Sequence, residues 1–164
     1  MIKSRDMTGL FVLNPQKSEV LMLRREKSAM FHLPTLLPSA GGHFEAEDGG
    51  DPYKCVLREL AEETGFCEAN FTEIRLKYIA VRHTDGELRK NYYFFAEFSA
   101  VPADLPKSNE GELAWIKFTE LESMPIPVSA RPCLNHYLSV GKNTDKIYCA
   151  AVGINSVAVT ELGS

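Results

Sequence analysis

Residues 51–66 constrain this chain more than any other stretch, because their pattern admits one element, a short helix with a charged side. Asp51 is a good N-cap, and Pro52 suits a first helical turn because it has no N–H to leave unbonded there. Gly65 tolerates the left-handed conformation that ends many helices. At about 3.6 residues per turn, Tyr53, Val56, Leu57, Leu60, Ala61 and Thr64 share one arc, and Arg58, Glu59, Glu62 and Glu63 fill the opposite one. The first arc is expected to be core.

Carboxylates crowded within about a turn and a half repel one another unless a cation sits among them. Glu59 stands i,i+3 and i,i+4 from Glu62 and Glu63, so their oxygens can converge on one point. Oxygen-only ligands suit Mg²⁺ or Mn²⁺ rather than Zn²⁺. Alone, a Glu-Glu pair on a surface helix is ordinarily a solvated acidic face. The upstream Gly41-Gly42 pair and the Arg58-Glu59 spacing weigh against that reading, since glycine lets the backbone approach an ion closely.

The whole run, from Ala40-Gly41-Gly42-His43-Phe44-Glu45 through Gly65-Phe66, resembles the signature of the Nudix hydrolases. That pattern is Gly, five residues, Glu, seven residues, then Arg-Glu-aliphatic-any-Glu-Glu-any-Gly-aliphatic. Residues 58–65 match it. The loop departs from it: five residues after Gly42 stands Asp48 where Glu is usual, and nine residues follow before Arg58. Phe66 replaces the usual aliphatic residue. The extra length falls in Asp48-Gly49-Gly50-Asp51, where a loop accommodates it at little entropic cost.

The resemblance, which covers roughly residues 7–137, implies an α/β fold, the Nudix-type α/β/α sandwich with a mixed β-sheet. It implies metal-dependent hydrolysis of a nucleoside diphosphate linked to another group, X. Glu59, Glu62 and Glu63 with the carbonyl of Gly41 would hold Mg²⁺, and Arg58 would keep the carboxylates in place. Glu59 or Glu110 would accept the proton of the attacking water, with Glu112 the fallback for Glu110. Arg24 and Arg25 would contact phosphate. The Asn109-Glu110-Gly111-Glu112 entry and Trp115 resemble the MutT-like branch, which hydrolyses nucleoside triphosphates such as 8-oxo-dGTP to monophosphate and pyrophosphate. A nucleotide-sugar or ADP-ribose pyrophosphatase is the alternative enzyme, and an inactive nucleotide-binding module the alternative of another class.

Composition narrows the partners. A net charge of −4 argues against a polynucleotide and leaves room for a small nucleotide, whose phosphates a metal and a few basic residues can neutralise. The 164 residues suffice for one domain, with the part from about residue 128 onward extending the core. Cys55, Cys67, Cys133 and Cys149 form no Cys-x-x-Cys pair and read as free thiols in a reducing, cytoplasmic setting. No apolar run approaches the length of a membrane span, and the N-terminus carries no signal-peptide pattern.

The remaining chain reads as a series of strands with one more helix. Residues 7–13 and 19–25 form a hairpin around Asn14-Pro15, ending in Arg24, Arg25 and Lys27. Residues 28–40 read as an irregular excursion into a Gly-Gly turn, with His32 and His43 near it. Residues 72–83 and 91–98 form a second hairpin across Asp85-Gly86. In its aromatic strand Tyr92 and Phe94 are candidates for stacking on a base, although such aromatics are core by default. A strand ends near Phe118, a helix spans 128–140 on Leu134, Tyr137 and Leu138, and short strands occupy 146–151 and 156–162. This tail reads as an edge hairpin or a homodimer contact.

Overall fold

A computed structural model describes residues 1–26 and 34–163 of the protein. Lys27 and His32 lie outside the described residues. Strand β1 (Lys3–Asn14) turns through a short 3-10 helix into β2 (Glu19–Arg25), and Ser18 takes the left-handed conformation (φ 53°) that reverses the chain. β1 and β2 pair only near this turn, at Val12–Leu21, Leu13–Val20 and Asn14–Glu19. Beyond it they diverge. The gap is filled by β3 (Thr35–Pro38) on β2 and β4 (Ala40–His43) on β1, both antiparallel.

Ser39 sits at the vertex of this fork and is 2% exposed. Its N–H donates to the Leu10 carbonyl (2.8 Å), its hydroxyl donates to the Leu21 carbonyl (2.5 Å), and Val12 N–H donates to its Oγ (3.2 Å). The hydroxyl thus satisfies backbone groups that the splitting strands leave behind, which would otherwise be buried without partners. Two sequence expectations are corrected here. Residues 35–38 are a strand rather than irregular chain, and the expected Gly-Gly turn is a strand. Glycines disguise such a strand because they carry no alternating side chains.

Helix α1 (Pro52–Thr64) follows the sequence reading in its bounds and caps: Asp51 Oδ1 accepts from Tyr53 N–H at 2.8 Å, and Gly65 is left-handed. β5 (Phe71–Thr84) and β6 (Glu87–Phe98) form a long hairpin whose loop, Asp85-Gly86, has positive φ at both positions (52° and 75°). That geometry matches the twist of the flanking strands. β7 (Glu112–Lys117), α2 (Ala130–Ser139), β8 (Ile147–Val152) and β9 (Val157–Leu162) complete the chain. The strands form one mixed sheet in the order β3-β2-β1-β6-β5-β8-β9, with β4 on β1 and β7 on β2. β1–β6 and β5–β8 are the parallel pairs.

The helices cover opposite faces. Leu10, Val12, Leu21, Leu23, Phe94 and Ala96 pack with Val56 and Leu60 of α1. Phe11, Leu13, Tyr93, Phe95, Tyr78 and Ala80 pack with Cys133 and Leu134 of α2. This is the α/β/α arrangement expected. β5 changes face midway: Ile74 belongs to the α1 core and Tyr78 to the α2 core, both at even positions, because the register slips between Leu76 and Tyr78. Such a bulge inserts one unpaired residue and inverts the alternation. Lys77 occupies it, 3% exposed, with Nζ donating to the Thr144 carbonyl at 2.6 Å.

Candidate functional site

The site forms where α1 lies along β4. The buried side of α1 is rotated from the arc read in the sequence: Cys55, Val56 and Leu60 are buried, and Ala61 is exposed. An i,i+4,i+8 row, Cys55–Glu59–Glu63, therefore faces the strand. Cys55 Sγ approaches the carbonyls of Gly42 (3.8 Å) and His43 (3.7 Å), and Glu63 Oε2 accepts from Gly41 N–H at 3.3 Å. The reason is steric. A Cβ at Gly42 would lie 2.5 Å from Cδ of Glu59, and one at Gly41 would collide with the Thr8 carbonyl. Bare backbone lets a charged helix edge close on a strand.

Arg58 organises the carboxylates. Its Nε and Nη2 bind the two oxygens of Asp48, both at 2.9 Å, while Nη1 donates to Glu59 Oε1 (3.0 Å) and Glu62 Oε2 (3.2 Å). Nη2 also reaches the His43 carbonyl at 3.1 Å. Asp48 is 2% exposed and ends a short 3-10 turn in which Glu45 N–H donates to its Oδ2 at 2.7 Å. The guanidinium holds the Asp48 carboxyl well below the usual carboxylate range, against the pull of burial. Asp48 raises the Arg58 pKa in return. Asp48, a mere departure from the signature in the sequence, is the buried anchor of Arg58. Its cue was the Glu45-x-x-Asp48 spacing of a capping turn.

Glu63 is the acid most affected by crowding. Burial, then the neighbouring Glu59 carboxylate, pushes its pKa up to about 7. Among the described residues, no group of three His, Cys, Asp or Glu side chains is already gathered at metal-binding geometry. Glu59 and Glu62 turn to Arg58, and Glu63 turns to the Gly41 N–H. A half-buried carboxylate pair that raises a pKa toward neutrality is nevertheless a site whose charge a cation would relieve. The donor set is all oxygen, as a hard divalent ion requires.

The other sequence candidates fall into groups. Arg25 and Glu110 form an ion pair through Nη2 and Oε2, and Arg25 Nε donates to the Glu110 carbonyl at 3.3 Å. Arg25 is close enough to Glu63 to favour its ionised form. Arg24 alternates with it and follows Val20 and Met22 onto the α2 side of β2. Glu112 is paired across the sheet with Arg24. Phe94 is 2% exposed, with its ring 6.0 Å from Tyr53, so it is core and offers no face to a base. Tyr92 is half-buried and packs on Phe44 with ring centroids 5.6 Å apart. Trp115 packs edge-on to Phe98 in the α1-side core. His43 is exposed at the end of β4, its pKa lowered by partial burial and then by Arg5.

The model of the NUDIX domain family matches residues 3–137. No curated protein matches by sequence. Among solved structures, the mutator MutT protein from Bacillus halodurans superposes with TM-score 0.68 at 22% identity, over 94% of this chain and 97% of that one. The C. elegans Ap4A hydrolase gives 0.62 at 18%, over 85% and 99%. The NUDIX domain of Shewanella oneidensis NrtR, complexed with ADP ribose, gives 0.60 at 16%, over 85% and 89%.

Proposed function

The chain belongs to the Nudix family of pyrophosphohydrolases, and we propose that within it the protein is a Mg²⁺- or Mn²⁺-dependent nucleoside triphosphate pyrophosphohydrolase, releasing monophosphate and pyrophosphate. The observation that carries a hydrolytic role is the row of Glu59 and Glu63 pressed against Gly41 and Gly42, with Arg58 clamped on Asp48 beside it. A cluster of like charges held this close is destabilising unless it is used.

Glu59, Glu62 and Glu63 would hold the ion, with Gly41 at the same strand. When bound, a divalent ion supplies charge neutralisation for the diphosphate and lowers the barrier to attack by water. Arg58 keeps Glu59 and Glu62 in place through charge-assisted bonds and takes no part in attack. Glu59 or Glu110 receives the water proton. Glu110 is held by Arg25 at the end of β2. Arg25 contacts phosphate, and Tyr92 is the remaining aromatic candidate for the base.

The preference for triphosphates rests on the resemblance of the Glu110 entry to the MutT-like branch. The solved neighbours, a MutT protein, an Ap4A hydrolase and a NUDIX domain complexed with ADP ribose, share the fold. The cytoplasmic reading rests on four free cysteines, with no helix among the described residues long and apolar enough to cross a membrane. A substrate panel with Mg²⁺ tests the proposal. Pyrophosphate released from triphosphates is expected; AMP from ADP-ribose without triphosphate turnover would transfer the protein to the nucleotide-sugar class. Equal rates for wild type and Glu62→Gln would defeat the hydrolytic reading.

A further inference from the structure

Three arginines stand side by side across three adjacent strands. Arg5 on β1 is the register partner of Arg89 on β6, and Arg89 is the partner of Arg82 on β5. All three lie on the α2 face, since they follow Phe11, Tyr93 and Phe95, and Tyr78 and Ala80 at even spacing with no further register slip. Like charges directly opposite one another across strands are destabilising. Glu87 bonds to Arg5 (3.5 Å) and Arg89 (3.3 Å), and Asp85 reaches Arg89 at 3.6 Å from the solvent-exposed turn. No ion pair of Arg82 is found among the described residues. Folding alone does not explain this row.

Its place is informative. At one end, a surface groove lined by Ser4, Arg5, Asp6, His43 and Phe44 runs beside the last residue of β4, one position from Gly42. At the other, a hollow of about 530 Å³ opens between Arg82, the start of α2 and the β8–β9 turn, with Arg131 on its wall. Arg131 spends its donors on the carbonyls of Leu121 and Met124, which position its charge without cancelling it. Two strand spacings make the row about 10 Å wide, enough for several linked phosphates. Planar guanidinium groups in such a row favour phosphate oxygens.

We propose that the Arg5–Arg89–Arg82 row is an anion subsite that binds a further phosphate group carried by X, so that the preferred substrates have a phosphorylated X, as in a nucleoside triphosphate or a dinucleoside polyphosphate, rather than an uncharged sugar. The assignment rests on the hydrolytic reading above, but its first test is independent of that reading. With EDTA present to remove divalent metal, inorganic tripolyphosphate is titrated calorimetrically into wild type, Arg82→Gln and, as a charge-matched control, Arg75→Gln, whose exposed arginine pairs with Glu73 and Asp145 away from the row, at low ionic strength. Wild type and Arg75→Gln bind alike, and Arg82→Gln binds about tenfold more weakly, the loss of one charged hydrogen-bonding partner. Absence of binding to wild type, or equal binding to Arg82→Gln, overturns the subsite whatever the enzyme hydrolyses.

Thermal melts separate binding from structure: Arg82→Gln melts at or above the wild-type temperature because a repulsion is relieved, whereas a clear drop would mark Arg82 as structural and overturn the proposal. Kinetics then identify the source of the anion. Arg82→Gln raises KM about tenfold for triphosphate and dinucleoside tetraphosphate and leaves KM for ADP-ribose unchanged. An equal rise for all three would mean that the row holds a group common to them, and no rise for any would point to a separate free anion; either result overturns the assignment to X.

Discussion

Arg58 holds Asp48 from both sides, Nε to Oδ1 and Nη2 to Oδ2, each at 2.9 Å. Because Asp48 is 2% exposed, removing it leaves a largely buried guanidinium without its main partner. Asp48→Ala is expected to lower unfolding free energy by about 3 kcal/mol and to loosen Glu59 and Glu62 as well. Urea denaturation reads the first effect and metal affinity the second. A variant as stable as wild type would remove Asp48 from its role as anchor.

The same pair sets a response to acid. The Asp48 pKa is depressed in the folded protein, so its stabilisation is complete above the unfolded value of about 4 and is lost as pH falls further, toward the folded value. Stability of wild type should therefore decline below pH about 4, and Asp48→Asn should flatten that decline. Parallel pH profiles for the two proteins would contradict the assignment.

Gly42→Ala tests the close approach of α1 to β4. The added Cβ meets the Glu59 carboxylate, 2.5 Å from its Cδ. The helix must shift or Glu59 must turn away, and displacement by about an ångström can lower rates on the order of 100-fold. Steady-state kinetics and Mn²⁺ titration should both show the loss, with the circular dichroism spectrum retained. Full activity would mean that Glu59 is not needed where it lies.

Ser39→Ala tests the fork. It removes the acceptor of Val12 N–H and the donor to the Leu21 carbonyl. Leaving buried backbone groups unsatisfied costs about 2 kcal/mol, a fall visible in thermal melts. A change below half of that would mean that a neighbouring group has replaced the hydroxyl.

Arg25 and Glu110 are partly exposed, with side chains 29% and 44% accessible. Breaking their pair should change stability by less than about 1 kcal/mol. Activity is the informative readout: Glu110→Gln, Arg25→Ala and the double variant should be non-additive in kcat/KM, since each single change disturbs the other residue. Additive losses would show that they act separately.

Helix α1 is legible in the sequence because its caps and its Arg58–Glu63 charges are local, and local signals need no tertiary context. The strands at 19–25 and 157–162 are legible for the same reason. β3 and β4 are hidden because prolines and glycines break the alternation that marks a strand, and only their pairing with β1 and β2 creates them. The burial of Cys55 and the exposure of Ala61 depend on Gly41 and Gly42 lacking side chains, a fact about a distant segment. Phe94 shows the limit for aromatics: core and base-stacking residues have the same composition, and only burial separates them. Asp48 reads as a deviation in a spacing count and becomes an anchor only when the loop folds back on Arg58.

The extra residue at Lys77 acts on β5 as a single-letter insertion acts on a reading frame. Everything between it and the Asp85-Gly86 turn is presented in one phase: Tyr78 and Ala80 go into the α2 core, and Arg82 goes beside Arg89. Deleting one residue there would keep the composition of the strand almost intact and transpose its two faces. Core and arginine row would be lost together, so the two share one structural determinant, the single extra residue at Lys77.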